Sequence, residues 1–429
     1  MQLLRFSTAG SVDDGKSTLI GRLLFDAKSI FEDQYNALVK TTARRGGVGG
    51  NVDALMDDGV AVDLALLTDG LMAEREQGIT IDVAYRYFAT PERKFIIADT
   101  PGHEQYTRNM VTGASTADLT IVLVDAKKGV LPQSRRHAAI ASLLGIRHVV
   151  FAINKMDLVD YDQARFEALH AELDRIADKL GLVDVQCIPM SALRGDMVVE
   201  RGDRLNWYRG PTLLQHLEAV DVLVPRGAPF RFPVQLVSRP GLPEAYVRGY
   251  MGRVESGVIR VGDRVVVQPS GRESTVTSIV TLDGTLKEAE APQSITLLLA
   301  DEIDISRGDL VTRVETPAAA VKSFDAMVCW MDAEPMAANG RYLIKHTTRT
   351  TKALIEGVTS KLDIATLETR DANDAKLSMN EIGQVRFKTR DALMIDAYAD
   401  NKATGAFILI DEVTNHTVAA GMIVGRGRP

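Results

Sequence analysis

Short apolar runs alternate with longer amphipathic stretches over the first half of the chain, up to about residue 220. The apolar runs predict buried parallel strands at Leu3 to Ala9, Lys94 to Ala98, Leu119 to Val124, His148 to Ile153 and Val185 to Pro189. Helical spacing predicts helices at Lys16 to Asp26, Gln133 to Leu144 and Asp162 to Leu180. Alternating strands and helices are typical of an open, doubly wound sheet, whose ligand lies beyond the carboxyl ends of the strands.

The pattern changes after Pro225 to short β-branched runs separated by glycine-rich turns, which predict small β-barrels. A break at Glu315 to Ala318 separates two such regions, so the sequence predicts domains at residues 1–222, 229–315 and 319–429. Between Phe31 and Gly78 the glycines at positions 46, 47, 49 and 50 interrupt any regular element, and a mobile insertion is expected there.

Charge and cysteine content narrow the class of protein. The formal net charge is −7, which argues against a surface built to hold a nucleic-acid backbone. Cys187 and Cys329 are too few for a disulfide framework and are expected to be core residues in a reducing compartment. No basic-then-apolar leader opens the chain and its apolar runs are too short to span a bilayer, so we expect a cytoplasmic protein without a membrane partner.

A phosphate-binding loop follows the first predicted strand. Gly10-Ser11-Val12-Asp13-Asp14-Gly15-Lys16-Ser17-Thr18 contains the pattern G-x-x-x-x-G-K-[ST] and opens a helix. Backbone N–H groups and the positive end of the helix dipole suit a polyphosphate. Lys16 adds a charge between the terminal phosphates, and Ser17 offers a hydroxyl to Mg²⁺.

Further polar motifs stand at the ends of later strands. In Asp99-Thr100-Pro101-Gly102-His103, Asp99 is placed to hold a water of the Mg²⁺ shell and Gly102 to present its N–H to the γ-phosphate. In Asn154-Lys155-Met156-Asp157, a carboxylate at Asp157 accepts from the N1–H and amine of guanine, a donor pair that adenine lacks. Ser191-Ala192-Leu193 offers a backbone N–H to guanine O6. The sequence therefore favours GTP over ATP.

These motifs, together with Arg75-Glu76-Gln77-Gly78-Ile79-Thr80, resemble those of the translation-factor class of GTPases. The resemblance implies an α/β P-loop GTPase domain, a doubly wound and mostly parallel sheet, followed by two small all-β barrel domains. It also implies GTP and Mg²⁺ as ligands, with the metal held by Ser17, Thr80 and, through water, Asp99.

The same resemblance assigns catalytic roles to Lys16, Thr80 and His103. Thr80 would be the switch threonine that joins Mg²⁺ and the γ-phosphate, against the alternative of a strand residue within Ile79 to Tyr87. His103 would orient the attacking water, against the alternative of a histidine that caps a helix at Glu104 to Thr116. Val12 and Ile79 are similar to the apolar gate of the class.

A narrower resemblance is to the large, GTP-binding subunit of bacterial sulfate adenylyltransferase. It rests on the stretch from Gly10 to Asp26, on Asp69 to Phe88, on Trp207 to Leu214 and on Val328 to Met331. It implies a heterodimer in which a separate small catalytic subunit makes adenosine 5'-phosphosulfate and pyrophosphate from ATP and sulfate, while this chain hydrolyses GTP. No second phosphate loop precedes Pro429, so no fused kinase is expected in this chain.

Two other interpretations stay open on sequence grounds. A tRNA-delivering or ribosome-acting factor would use the same GTP site. Arg341, Lys345, Arg349 and Lys352 around His346 would then be an RNA face, although a solvated β-surface is favoured and nucleic acid is not the expected partner. The third interpretation is a signalling GTPase that uses its barrels for docking. For Trp207 and Tyr208, simple packing onto the sheet is the expected role.

Overall fold

A computed structural model describes residues 3–28, 39–40, 42, 55–57, 60–67, 74, 80–222, 227–238, 248–337, 339–372 and 376–426. The chain divides into two compact units, Met1–Val222 with Asp363–Glu368, and Leu223–Leu362 with Thr369–Pro429. No helix in the described ranges is both long enough and apolar enough to cross a membrane.

The first unit is built from short strands and helices in alternation. Its strands are β1 (Leu3–Ala9), β2 (Leu55–Asp57), β3 (Val60–Val62), β4 (Ala84–Ala89), β5 (Lys94–Asp99), β6 (Leu119–Asp125), β7 (His148–Asn154) and β8 (Asp184–Pro189). Its α-helices are α1 (Lys16–Asp26), α2 (Thr107–Ala114), α3 (Pro132–Leu143), α4 (Gln163–Leu180) and α5 (Leu213–Ala219), with 3₁₀ turns at Leu64–Leu67, Glu104–Tyr106 and Met156–Val159.

The main sheet of this unit has the order β4-β5-β1-β6-β7-β8. All neighbours are parallel except β4, which runs antiparallel to β5 at the edge. Every residue of β6 is buried, as expected for a strand covered on both faces. Because β4 begins only at Ala84, Thr80 precedes the strand, and its interpretation as a strand residue was wrong.

The predicted strands end at one edge of the sheet with their polar residues in place. Asp99, Asp125 and Asn154 are the last residues of β5, β6 and β7, and Gly10 follows β1. Parallel strands bring their carboxyl ends together, so motifs far apart in sequence meet at this edge.

Helix α4 shows how the amphipathic pattern is used. The Asp162 side chain accepts from the N–H groups of Ala164 and Arg165 at its start, and Gly181 ends it in a left-handed conformation. Phe166 on its buried face packs against the rings of Trp207 and Tyr208, at centroid distances of 5.2 and 5.8 Å. Tyr208 also donates its hydroxyl to Cys187 O of β8, so the expected packing onto the sheet is confirmed for Tyr208, while the ring contacts of Trp207 are with α4 and Tyr208.

The predicted insertion between Phe31 and Gly78 is described only in part. Strands β2 and β3 form an antiparallel pair, and the buried side chains of Val62 and Leu64 pack with Phe25 of α1. The glycine cluster at positions 46 to 50 and the expected mobility lie outside the described residues. The predicted helix at Glu104 to Thr116 is shorter, with a 3₁₀ turn before α2.

The second unit contains two β-barrels. The strands of the first barrel region are β9 (Arg231–Ser238), β10 (Gly249–Arg253), β11 (Val258–Arg260), β12 (Arg264–Gln268), β13 (Arg272–Thr281), β14 (Gly284–Leu286), β15 (Glu288–Glu290), β16 (Ser294–Leu299) and β17 (Leu310–Arg313). Those of the second are β18 (Ala319–Trp330), β19 (Arg341–His346), β20 (Arg349–Asp363), β21 (Glu368–Asp371), β22 (Ile382–Ile395), β23 (Ala406–Ile410) and β24 (Thr417–Arg426), with a short helix, α6 (Lys402–Gly405).

Pairing of β12 with β13 closes the first barrel, and pairing of β19 with β20 closes the second. Closure removes the free sheet edges that an open β-sheet would expose. Each barrel has its own apolar core, which contains Phe232 and Tyr250 in the first and Trp330 and Phe387 in the second. Both cysteines are free and buried, as predicted from sequence.

Polar contacts join the two barrels. The guanidinium of Arg231 makes two hydrogen bonds to the carboxylate of Asp396, at 2.7 and 2.8 Å, and a third to Thr316 O. Arg349 donates to Asp309 at 2.7 Å, which removes it from the proposed RNA face. Lys352 pairs with Glu412, and His346 is buried, so two of the four basic residues of this cluster are paired with carboxylates within the unit.

Candidate nucleotide-binding site

A cavity of about 380 Å³ lies at the carboxyl edge of the main sheet. Its predicted lining residues are Gly10, Ser11, Val12, Asp13, Gly15, Lys16, Ser17, Thr18, Thr80, Gly102, His103, Asn154, Lys155, Asp157, Ala192 and Leu193. Residues from five separate parts of the chain thus meet in one concave site, the arrangement expected for a small-molecule ligand.

The phosphate-binding loop is shaped by close contacts. Gly15 has φ +89°, and a Cβ there would lie 2.5 Å from Asn154 Nδ2, so no other residue fits without displacing that amide. Gly102 also approaches the loop closely, because a Cβ there would overlap with the Gly10 carbonyl oxygen. Helix α1 begins directly after Gly15, so its first N–H groups point toward the cavity.

Asp14 is a buried carboxyl group within this loop and does not line the cavity. Its Oδ2 accepts from Ser11 N–H at 2.7 Å, while Oδ1 has no hydrogen-bond partner in the described part of the chain. Burial raises the pKa of Asp14 to about 6, although the Ser11 hydrogen bond opposes the shift. The loop therefore holds an acid that ionises reluctantly.

Lys16 connects three of the predicted motifs. Its Nζ lies 2.9 Å from Asp99 Oδ1 and donates to Thr80 Oγ1 at 2.8 Å and to the Thr100 carbonyl. Thr100 Oγ1 donates in turn to Thr8 O at 2.7 Å, which fixes the end of β5 against β1. Lys16 is 8% exposed, so its charge is balanced mainly by Asp99.

At the opposite end of the cavity, Asn154 ties two loops together. Its Nδ2 donates to Asp14 O at 2.8 Å, and its Oδ1 accepts from Ala192 N–H at 2.9 Å. Asp157 Oδ1 accepts from Ser191 Oγ at 2.6 Å, which orients the carboxylate within the lining. The two loops predicted to read the base are therefore joined by hydrogen bonds.

Asp125, the last residue of β6, stabilises the lining residue Lys155. Its Oδ1 accepts from the N–H groups of Lys127 and Lys128, and its Oδ2 lies 3.2 Å from Lys155 Nζ. Burial acts to raise the pKa of Asp125, but these N–H donors and the Lys155 ammonium outweigh it and hold the pKa below its ordinary value. Lys155 is thereby anchored beside the cavity.

His103 is an exposed residue of the lining. Its Nδ1 accepts from Gln105 N–H at 3.3 Å, and its ring lies 6.0 Å from that of Tyr106. The local hydrogen bond is of the capping kind that the alternative interpretation required, yet it leaves Nε2 available for another partner. Val12 also lines the cavity, whereas Ile79, its predicted gate partner, lies outside the described residues.

The other predicted site residues stand behind the lining. They are Asp14, Asp99, Thr100, Pro101, Met156 and Ser191, all of which are buried. Met156 is a core side chain whose N–H donates to Met190 O.

The comparisons with known proteins agree with this geometry. The model of the elongation factor Tu GTP binding domain matches residues 1–226, that of elongation factor Tu domain 2 matches 250–312, and the GTP-eEF1A C-terminal domain-like model matches 323–424. Sulfate adenylyltransferase subunit 1 of Bacteroides fragilis is 53% identical over 425 residues, which cover 99% of this chain and 86% of that protein.

The chain belongs to the sulfate adenylyltransferase subunit 1 family. The bifunctional enzyme CysN/CysC of Mycobacterium tuberculosis is also similar, with 54% identity over 98% of this chain and 67% of that protein. The GTPase-like domain of Saccharomyces cerevisiae Ski7, solved with GTP bound, shares the fold with a TM-score of 0.52 and 18% identity, covering 99% of this chain and 97% of that one.

Membership of the subunit 1 family confirms the resemblance and the fold class predicted from sequence. The first domain is a GTP-binding domain of the elongation factor Tu type. Because relatives that match nearly the whole chain are named sulfate adenylyltransferase subunit 1, the translation-factor interpretation is not favoured.

Several residues that shape the nucleotide site of this chain were not identified from the sequence. Leu158 lines the cavity, and the apolar position directly after Asn154 to Asp157 was the available signal. Gln133 Nε2 donates to Gly102 O at 3.1 Å, and Asp125 anchors Lys155. Arg22 contacts the carbonyls of Ala192 and Leu193 from α1. No local pattern marks these three contacts, because each depends on the packing of distant elements.

Proposed function

We propose that this chain is the GTPase subunit of an ATP sulfurylase, and that its GTP hydrolysis drives formation of adenosine 5'-phosphosulfate and pyrophosphate by a partner catalytic subunit. The observation that carries the proposal is the meeting of Lys16, His103 and Asp157 in one cavity, in a chain 53% identical over nearly its whole length to a named subunit 1. The residues proposed to bind the phosphates, to orient the attacking water and to bind the base would then line the same cavity.

The triphosphate of GTP would lie over the N-terminus of α1. There the free N–H groups and the helix dipole favour anions. Lys16 would turn from Asp99 toward the terminal phosphates, since a phosphate with several negative oxygens competes well for an ammonium that now has one carboxylate partner.

The donor set beside Lys16 fits Mg²⁺. The hydroxyls of Ser17 and Thr80 line the cavity and the Asp99 carboxylate lies directly behind it, all hard oxygen ligands. Ser17 and Thr80 would hold the ion directly and Asp99 through a water. When bound, the ion would supply positive charge to the phosphates.

At the other end, Asp157 would accept from guanine N1–H and the 2-amine. Ser191 keeps one of its oxygens engaged, so the carboxylate is held in one orientation before the base arrives. Adenine would leave this half-buried carboxylate without hydrogen-bond donors, so the site would select guanine over adenine.

His103 would orient the attacking water through Nε2, while Nδ1 stays bound to Gln105 N–H. This orientation needs no proton transfer to the histidine. Val12 would limit the approach of His103 to the γ-phosphate until the site closes.

The partner would be a small catalytic subunit that binds ATP and sulfate, in the cytoplasm, where both nucleotides are available. Formation of the sulfate–phosphate anhydride is uphill, and GTP hydrolysis offsets it only if the steps of the two subunits are gated to each other. We further propose functional domains at residues 1–222, 229–315 and 319–429, the first for GTP and the barrels for assembly.

The test is the rate of GTP hydrolysis by the purified chain, with and without the small subunit, ATP and sulfate. Acceleration that requires all three additions supports the proposal. Stimulation by ribosomes, with indifference to the subunit and its substrates, would overturn it. A Lys16→Ala chain in the same complex serves as the control, because adenosine 5'-phosphosulfate formation should then lose its dependence on GTP.

A further inference from the structure

Arg22 is a buried cation on α1 that takes no part in phosphate contacts. It is 5% exposed and lies outside the lining of the nucleotide cavity. Its Nε donates to Ala192 O at 3.1 Å, and a terminal nitrogen donates to Leu193 O. A planar guanidinium with a fixed fork of donors thus holds two successive carbonyls of the loop at residues 191–196, which contains the residues predicted to contact the base.

The remainder of this loop is closed by its own hydrogen bonds. Ser191 N–H donates to Asp196 O at 3.1 Å and Gly195 N–H to Ser191 O at 2.8 Å. Gly195 has φ +85°, and a Cβ there would lie 3.5 Å from Arg22 Cζ, so the loop wraps closely around the guanidinium. Among the described residues, Arg22 supplies the side-chain contacts that reach these two carbonyls from α1.

The carbonyl contacts also set the direction of an N–H group. In a trans peptide the C=O and the following N–H point in opposite directions, and this peptide is trans. Because Arg22 holds Ala192 O, Leu193 N–H points away from the guanidinium, and Leu193 is itself a residue of the cavity lining. Leu193 N–H has no hydrogen-bond partner within the described residues, whereas Ala192 N–H is taken by Asn154.

We propose that Arg22 is a positioning residue for guanine selectivity, because it turns Leu193 N–H toward the O6 atom of the base. This inference rests on the proposed base site at Asp157 and Ser191 to Leu193. Arg22 itself touches neither base nor phosphate. Its effect reaches the ligand only through the orientation of one peptide.

The experiment pairs Arg22 with the O6 atom of the ligand. Displacement of methylanthraniloyl-GDP from the full chain measures affinities for GDP, for 6-thioguanosine diphosphate, whose sulfur accepts hydrogen bonds weakly, and for inosine diphosphate. The wild-type chain should bind GDP about 3- to 10-fold more tightly than the thio analogue, the value of one neutral hydrogen bond.

In Arg22→Ala this ratio should fall to about 1 to 2, mainly through loss of GDP affinity. The ratio of GDP to inosine diphosphate should stay at its wild-type value, since the 2-amine is read by Asp157. Asp26→Asn is the matched control, because Asp26 lies 3.5 Å from Arg22 on the same helix but touches neither carbonyl. It should keep both wild-type ratios, and Arg22→Lys should restore the O6 ratio in part.

A general loosening of α1 would weaken all three nucleotides equally and leave the O6 ratio unchanged, which would overturn the inference. If Arg22→Ala does not fold, Arg22→Lys carries the test, since it keeps the charge but loses the fork. Asp157→Asn, scored for binding of xanthosine diphosphate, separates the two proposals. Failure of that switch removes the base site and this inference with it. If the switch succeeds while the O6 ratio stays at its wild-type value in Arg22→Ala, or in Arg22→Lys where the alanine variant does not fold, this inference alone is removed.

Discussion

Lys16 Nζ lies 2.9 Å from Asp99 Oδ1, and both side chains are almost fully buried where β1 and β5 end. The pair joins the phosphate-binding loop to the motif that contains His103. Because a buried ion pair is stable only while both charges are present, this contact also makes the site sensitive to the loss of either residue.

Lys16→Ala should abolish tight nucleotide binding, with a loss on the order of 10²-fold or more in affinity for GTP. It should also lower the unfolding temperature, because Asp99 is left as an unpaired buried carboxylate. Titration with methylanthraniloyl-GDP and thermal unfolding measure the two effects. Lys127→Ala, at an exposed lysine of the same unit, should change neither, and GTP binding retained in Lys16→Ala would contradict the assignment.

His103→Ala should leave GTP affinity largely intact and slow hydrolysis by a factor on the order of 10². The measurement is single-turnover hydrolysis of bound GTP. His103→Asn separates this role from the local cap, since a short side-chain acceptor remains for Gln105 N–H. A full recovery of the rate in His103→Asn would show that the histidine acts through the cap alone.

Asp157→Asn should move the preference from guanine to xanthine nucleotides, because the amide donates where xanthine offers a carbonyl oxygen. Competition between GDP and xanthosine diphosphate measures this preference. Ser191→Ala should weaken GDP by about 3- to 10-fold without altering base preference, since only the hydrogen bond at 2.6 Å to the carboxylate is lost. An unchanged preference in Asp157→Asn would remove Asp157 from the base site.

Asp14→Asn should stabilise the nucleotide-free protein at high pH. The native pKa of about 6 lies above the ordinary value of 3.8, so the folded state binds the proton more tightly than the unfolded state. The contribution of Asp14 to the free energy of unfolding therefore falls as pH rises through 3.8 to 6, by about 2 to 3 kcal/mol in all.

The measurement for this variant is urea unfolding of both proteins at several values of pH. The difference between them should be small near pH 4 and reach its full size above pH 7. Comparison at each pH cancels the contribution of His137, whose pKa burial lowers to about 3 and which weakens the fold as pH falls below 6.5. A difference that does not change with pH would contradict the raised pKa of Asp14.

Arg231→Ala should destabilise the two-barrel unit by about 3 kcal/mol, because the half-buried Asp396 loses the buried cation that pairs with it. Chemical unfolding followed by the fluorescence of Trp330, in the core of the second barrel, measures this effect. Arg260→Ala is the control, since its pair with Glu288 is exposed and should contribute less than about 1 kcal/mol. Equal effects of the two substitutions would show that the barrels do not depend on the Arg231 contact.

Much of the fold could be predicted because its signals are local. The predicted strand Leu3 to Ala9 and helix Lys16 to Asp26 have the observed bounds, since an apolar run followed by a glycine loop and an amphipathic stretch allows few alternatives. A strand at Ile79 to Tyr87 was considered only as the alternative for Thr80, and the observed β4 begins later, at Ala84. Its Tyr85 and Tyr87 are exposed, so the stretch lacks the continuous apolar character of the inner strands.

The sequence by itself determined the order of the motifs, namely the glycine loop, Asp99, Asn154 and Ser191, and the strands that precede them. Motifs of this kind specify their chemistry through residue type and spacing, which a linear pattern retains. Tertiary structure alone decided that Lys16 meets Asp99 and Thr80. It also decided that burial raises the pKa of Asp14, and that Arg22 holds the carbonyls of Ala192 and Leu193. The physical reason is that hydrogen bonding and desolvation depend on atoms brought within a few ångströms by packing, across as many as 171 positions of sequence, and no local pattern records those neighbours.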